Sequence, residues 1–204
     1  MAYVGELAER DPLERPPASA RTGIQQVSVP QAMIDETLDC YLEHCRYLRS
    51  ATLEYRRDGA AFATEYGEVS FLSRGRFSSV PPWYIRDTGH FNSIEFNLCY
   101  NQLSYVSLAH ATTLGEIPWL WRHTDAGDIQ SKKLSDALIT RFSSRFHHAM
   151  QSAEFVGDFW VARAVVRGGR LFIKTGMAVT APDGQRCSSG EVNTVILPRA
   201  QSEK

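Results

Sequence analysis

The chain has 204 residues, and 22 Lys and Arg against 23 Asp and Glu give a formal charge of −1. Hydrophobic content of 43% suffices for one sizeable core, and the even mix of signs leaves no basic stripe for nucleic acid. No apolar run approaches the roughly 20 residues of a membrane helix. The N-terminus carries acids early and has no apolar segment, so it reads as neither a signal nor a transit peptide. Cys40, Cys45, Cys99 and Cys187 show no zinc spacing and no CxxC, which predicts reduced thiols in a cytoplasmic protein.

Residues 1–30 hold Pro12, Pro16 and Pro17 without hydrophobic period and predict a mobile arm, leaving 31–204 as a single domain. Met33, Ile34, Leu38, Tyr41 and Leu42 have helical spacing and predict a helix over 31–44. Strands are expected from Cys45 to Tyr55 and from Phe62 to Leu72, the second interrupted by Gly67. Pro81-Pro82 marks a break. The strongest helix runs from Asn92 to about Thr113, apolar on most faces and therefore buried. Extended segments follow at 134–146, 155–166, 171–180 and 191–197, with Gly168-Gly169 and Pro182-Asp183-Gly184 as turns. One helix cannot serve as the crossover for many parallel strands, so an antiparallel sheet curled round it is the economical α+β solution.

The helix and its entry turn carry the most unusual run, Tyr84 to Tyr105: YIRDTGHFNSIEFNLCYNQLSY. Three Asn, a Glu, a Gln, a His and an Arg interrupt an otherwise apolar element. Buried polar groups must be paired, so such a density predicts either a site or a self-satisfied network. Asn92-x-x-Glu95 also has the pattern of an N-cap with its capping-box partner. No G-x-S-x-G elbow, phosphate-binding glycine loop or metal-ligand spacing occurs. Ser143 and Ser144 have no evident His-Asp partners, and His44, His110 and His123 belong to no motif.

That run resembles the signature of the FcoT-type acyl-thioesterase family of actinobacteria, a hot-dog fold. The family carries Tyr-Ile-Arg-x-Thr-Gly-His-Phe-Asn, then Cys-aromatic-Asn-Gln-Leu. The match continues in Ser143 to Phe146 and Ser189 to Glu191, with a weaker match in CRYL at Cys45 to Leu48. The resemblance implies one long central helix wrapped by a curved antiparallel sheet, and activity on fatty acyl thioesters. For members in isonitrile lipopeptide gene clusters it implies conjugate addition of glycine to the β-carbon of an α,β-unsaturated acyl chain on an acyl carrier protein. Long-chain acyl-thioester hydrolysis and non-catalytic acyl binding are the alternatives. The family's site residues fall on Tyr84, Asn92 and Asn101, with Tyr41 for a further Tyr whose spacing here is one residue shorter. No metal or cofactor is implied beyond the carrier's phosphopantetheine, and a homodimer with sites across the subunit interface is expected.

That addition needs donors for the enolate oxygen, a base for the glycine ammonium and a cation for its carboxylate. Candidate donors are the N–H groups near Gly89 to Asn92 at the helix start, the Asn92 and Asn101 amides and the Tyr84 hydroxyl. His90 and Glu95 are the candidate bases; a turn histidine and the capping box are their structural alternatives. For the carboxylate the choices are Arg86, Arg145 and Lys174. Alternation in the strand sets Ser144 and Phe146 on one face and Arg145 on the other, so Arg145 points away if Phe146 faces the core. Phe91 heads the aromatics expected beside the acyl chain. Arg46, Arg56 and Arg57 are candidates for docking an acidic carrier.

Overall fold

The structure, a computed structural model, describes residues 23–78, 90–117, 120, 137–150 and 154–197. Its elements are β1 (Ile24–Ser28), α1 (Gln31–Thr37), β2 (Leu48–Arg56), β3 (Phe62–Thr64), β4 (Gly67–Val69), β5 (Phe71–Ser78), α2 (Ser93–Leu114), β6 (Ala137–Phe146), β7 (Glu154–Arg167), β8 (Arg170–Thr180) and β9 (Arg186–Ile196). Seven strands form one sheet in the order β1-β2-β5-β7-β8-β9-β6, every pairing antiparallel. Residues of one parity on each strand turn inward: Ala51, Leu53 and Tyr55 on β2, Phe71, Ser73 and Phe77 on β5, Phe155, Phe159 and Val161 on β7. They pack on α2, whose Phe96, Cys99, Leu103 and Val106 have no exposure. The chain crosses from β5, third in the sheet, to β6 at its far edge by way of α2. This is the expected hot-dog architecture, a buried helix held by an antiparallel sheet.

Three features differ from the sequence expectation. Residues 24–28, placed in the mobile arm, form β1 and pair with β2 from Ile24↔Arg56 to Ser28↔Thr52; residues 1–22 lie outside the described residues. A five-residue strand, IQQVS, has too little alternation to stand out beside a proline-rich stretch. The helix expected over 31–44 stops at Thr37. Beyond it the Arg46 guanidinium donates to the Tyr41 carbonyl (2.9 Å) and the Asp39 carbonyl (3.2 Å), holding a turn where a helix would have continued. Leu42, counted on the helical face, is 67% exposed. The strand expected over 62–72 is a hairpin, β3 and β4, followed by the start of β5. Gly67 has φ of 92°, and the Thr64 hydroxyl donates to its carbonyl at 2.9 Å.

Several polar groups on the buried helix find protein partners, whereas both ring nitrogens of His110, 7% exposed, have none among the described residues. The Gln102 carbonyl oxygen accepts from the N–H groups of Tyr47 (2.9 Å) and Leu48 (3.0 Å), and its amide donates to the Cys45 carbonyl (2.6 Å). The Ser107 hydroxyl donates to Ser73 (2.7 Å). The Tyr100 hydroxyl meets Thr175 (2.8 Å), which itself donates to the Val192 carbonyl. At the far end Gly115 closes α2 in the left-handed region. Glu116 there accepts from the Tyr55 hydroxyl, whose pKa is pushed up to about 12 by burial first and by this bond second. Close approach of β9 to the first turn of α2 demands Gly190: a Cβ there would lie 2.5 Å from the Ser143 carbonyl oxygen and 2.9 Å from the Phe96 ring.

Gln102→Leu leaves two buried N–H groups and one carbonyl without partners while preserving volume. Each orphaned group costs about 1–3 kcal/mol. The expected loss is about 3 kcal/mol or more in urea unfolding; a loss below about 1 kcal/mol would show that the carboxamide does not hold helix to sheet.

Candidate active site

The first turn of α2 is fixed from both sides of the chain. Asn92 is the N-cap in extended backbone (φ −131°, ψ −170°), and its side-chain oxygen accepts from the N–H groups of Ile94 (2.8 Å) and Glu95. Glu95, 6% exposed, returns the bond, its Oε2 accepting from the Asn92 N–H at 3.0 Å. The capping-box alternative for this pair is therefore real. One residue earlier, the Phe91 N–H donates to the Met150 carbonyl (2.9 Å), and its ring packs edge-on to Phe155 with centroids 5.2 Å apart. His90 is exposed just before it.

These bonds correct one expectation. The N–H groups of Phe91 and Asn92 were candidate oxyanion donors, but Met150 and Glu95 already occupy them. Phe96 N–H bonds the Asn92 carbonyl at 2.9 Å. Within the first turn, Ser93 keeps an N–H with no acceptor among the described residues. The dipole and this open amide still favour negative charge at the helix start. Gly89, with Tyr84 and Arg86, lies outside the described residues.

Ser144 is brought to this region. It pairs with Gly190, and its strand neighbours Phe142 and Phe146 set their rings 5.9 and 6.2 Å from that of Phe96. Ser144 thus faces the first turn of α2, and the conditional reading of the strand resolves: Phe146 faces inward, so Arg145 faces out. Lys174 also lies on the outer face, because its neighbour Thr175 bonds Tyr100 of α2; it is 3.1 Å from Glu191 in an exposed ion pair. Within one subunit, neither Arg145 nor Lys174 reaches the helix start, which corrects their place among the carboxylate-binding candidates. The alternation was readable; which parity faces the helix depended on partners far along the chain.

Asn92 and Asn101 do not converge either. Nine helical residues separate them by about 13 Å along the axis and half a turn around it. Asn101 is half-buried, within 3.5 Å of Asn97, on a flank of α2 that also carries Ile94, Leu98, Tyr105 and Leu108. Ile94 on this flank is 50% exposed. Tyr41 joins that flank: burial raises its pKa far above the usual range, and neighbouring Tyr105 and Cys40 push the same way. The proposed residues therefore fall into two groups, Asn92, Glu95 and Ser144 at the helix start and Tyr41 and Asn101 on its flank.

On the outer face of the sheet, a groove of about 1620 Å³ runs between the β3–β4 hairpin and residues 147–148, and its lining includes Arg49, Arg74, Arg76, Arg186 and Phe155. Two ion-pair clusters organise it. Asp158, 4% exposed, takes both arms of Arg74 at 2.7 and 2.8 Å and the Tyr66 hydroxyl at 2.7 Å. Arg186 lies 2.8 Å from Glu65 and over the Tyr66 ring, which stacks on Trp160 at 4.0 Å. Sequence reasoning missed this network because its members come from four separate strands and turns. No cluster of metal-ligating side chains occurs among the described residues, and no helix there is long and apolar enough to cross a membrane.

Comparison with known proteins gives a consistent relationship. The FcoT-like thioesterase domain matches residues 36–196. A protein of Streptomyces coeruleorubidus named (2E)-enoyl-[ACP] glycyltransferase is 33% identical over 172 residues, covering 82% of this chain and 96% of its own. A Mycobacterium bovis protein of the same name is 34% identical over 179 residues, covering 84% and 88%. Among solved structures, a conserved protein of Pseudomonas aeruginosa aligns over 62% of this chain and 81% of its own with 9% identity and a TM-score of 0.40. With the profile spanning the helix, its cap and all but one strand of the main sheet, this chain belongs to the FcoT-like thioesterase domain family.

Proposed function

We propose that this protein adds glycine to the β-carbon of a (2E)-enoyl thioester carried on an acyl carrier protein, giving a 3-(carboxymethylamino)acyl thioester. The observation that carries this reading is the 33% identity shared across 96% of the length of a relative named for that transfer. A place in isonitrile lipopeptide biosynthesis, in the cytoplasm, belongs to the same reading. No cofactor is required, since the substrate arrives on the carrier's own phosphopantetheine.

In this reading the glycine nitrogen forms a bond to the β-carbon. The π electrons move to the thioester oxygen as an enolate, which then takes a proton at the α-carbon. Hydrogen-bond donors must await the oxyanion, because charge appears there only in the transition state. The Ser93 N–H, the Asn92 amide and the Tyr84 hydroxyl fill that role, while the Asn92 side-chain oxygen keeps its cap. Glu95 removes the ammonium proton, with His90 outside it as the exchange route to solvent. Arg86 takes the glycine carboxylate, since Arg145 and Lys174 face the other way. Gly89, Phe91 and Ser144 line the thioester.

Tyr41 and Asn101 join from a second subunit. Among the described residues β6, ten residues long, ends the sheet with its outer edge unpaired, which invites pairing with a copy of itself. Leu138 (44% exposed) and Ile139 (40% exposed) on that strand, with the open flank of α2, give the dimer its apolar surface.

Intact-protein mass spectrometry of enoyl carrier protein with enzyme and glycine should show the mass of one added glycine with the thioester retained. Free thiol released without glycine, and no adduct, would assign hydrolysis instead. Glu95→Gln keeps the capping box, so its melting temperature should hold while the addition rate drops about 100-fold or more. An unimpaired rate would move the base to His90.

Asn92→Ser preserves the cap and Asn92→Ala loses about 1 kcal/mol of stability. Both should abolish addition, as should Asn101→Ala. Mixing inactive Asn92→Ser and Asn101→Ala subunits and letting them exchange should restore about a quarter of wild-type activity, because half the dimers then hold one intact composite site. No restoration in a sample that demonstrably exchanges subunits would rule out the shared site.

A further inference from the structure

The groove on the outer sheet face has two differently charged ends. At one end the cations are neutralised: Arg74 by Asp158 and Arg186 by Glu65. At the other, Arg49 makes a single long bond, 3.4 Å, to the Ser78 carbonyl, and Arg76 has no acid partner among the described residues. The cross-strand neighbours of Arg76 are Ser50 and Val156; the nearest carboxylate along β7 is that of exposed Glu154, which pairs with Ser78, lines the same groove and forms no ion pair with Arg76. Arg49 sits beside Ser50 and reaches over β5 to Ser78, two residues from Arg76, and both arginines line the groove. His147 and His148 line the groove further across the sheet, where their N–H groups bond the Cys187 carbonyl on β9.

The arginines expected to dock a carrier do not have this freedom. Arg46 is held by Tyr41 and Asp39, Arg56 by Asp58 at 2.8 Å and Arg57 by Glu116 at 3.3 Å. Adjacent like charges left unneutralised in a concave surface favour an anionic partner. Their position gives the partner a task. Phe155 borders the groove, but its ring faces inward, 4% exposed, and packs against Phe91, the residue before the N-cap of α2. The unpaired end thus borders the start of β7, whose inner side carries the ring that meets Phe91.

We propose that this end of the groove docks an acyl carrier protein, with Arg49 and Arg76 gripping the phosphate of its phosphopantetheine arm and the acidic surface around it. The inference rests on the carrier-borne substrate proposed above and adds the surface that recognises it. A free phosphate would fill little of so large a groove, whereas a carrier would occupy it and send its arm round the start of β7, where Met150 meets Phe91 before the helix start. Planar guanidiniums suit a phosphodiester, and charge at such a rim governs encounter and affinity more than chemistry.

The test uses fluorescently labelled holo-acyl carrier protein and full-length enzyme, read by anisotropy at low salt. Arg49→Gln with Arg76→Gln should weaken binding about tenfold or more and flatten its salt dependence; Arg→Lys at both positions should retain most of it. With an enoyl-pantetheine thioester, which lacks phosphate and carrier, the double Gln variant should add glycine within about twofold of wild type. Unchanged carrier binding in the double variant overturns the proposal. So does an equal loss on the pantetheine substrate, which would assign the arginines to folding or to the reaction centre. Arginine-dependent carrier binding without any glycine adduct would sink the proposed chemistry and leave the docking surface standing. Adduct formation with arginine-independent binding would do the reverse.

Discussion

The carboxamide of Gln102 holds the arrangement on which the rest of the molecule depends. It lies in the interior of α2 with no exposure and joins the helix to the backbone where β2 begins. An apolar side chain there would pack as well but would leave the Tyr47 and Leu48 N–H groups without acceptors. The bonds therefore fix the axial position of α2 against the sheet as well as its contact with it. Sliding the helix by one residue would break all three. That register sets Phe96 against Gly190 and brings the capped first turn to the end of the sheet where residues 147–150 return to meet Phe91.

Placing the helix start in this way has a chemical consequence. Most of the N–H groups that a free helix N-terminus would offer are already used. Asn92, Glu95 and the Met150 carbonyl satisfy them, so that among the described residues the Ser93 amide is the one left open in the first turn. An anion site built from a frayed turn would accept many ligands. One built from a turn held at both ends offers few donors in fixed positions, which suits charge that appears only during reaction. Tyr100 and Tyr41, each with its pKa raised chiefly by burial, remain neutral hydroxyls near this helix and add no competing charge.

Much of this was legible in the chain, and the parts that were not share a cause. The long helix announced itself because apolar residues cover most of its faces and Asn92 and Glu95 stand three apart, both local signals. The pairs of long strands after it were readable from Gly168-Gly169 and Pro182-Asp183-Gly184. What failed depended on distant partners. The end of α1 at Thr37 is held in part by Arg46, and the loss of Phe91 as a donor depends on Met150, 59 positions away. Period-two alternation told that Ser144 and Arg145 oppose each other, but only the packing of Phe142 and Phe146 on Phe96 told which one faces inward. Asn92 and Asn101 looked like one constellation because they share a motif. Helical geometry alone, applied to their spacing, already sets them apart.

That separation bears on why a thioesterase scaffold would suit an addition. Hydrolysis and conjugate addition both place negative charge on the thioester oxygen, so both would draw on the donors proposed at the head of α2. They differ in where the nucleophile must stand: at the carbonyl carbon for water, two carbons further along the chain for an amine. A protein can change between them by moving the base and the group that holds the nucleophile while leaving the oxyanion donors alone. Glu95 is anchored by its bond to Asn92 and cannot swing freely along the acyl chain. In the proposed composite arrangement, residues from the flank of a second helix would determine which carbon the nucleophile faces. Selectivity between the two reactions would reside in the subunit interface, and the catalytic turn itself would be common to both.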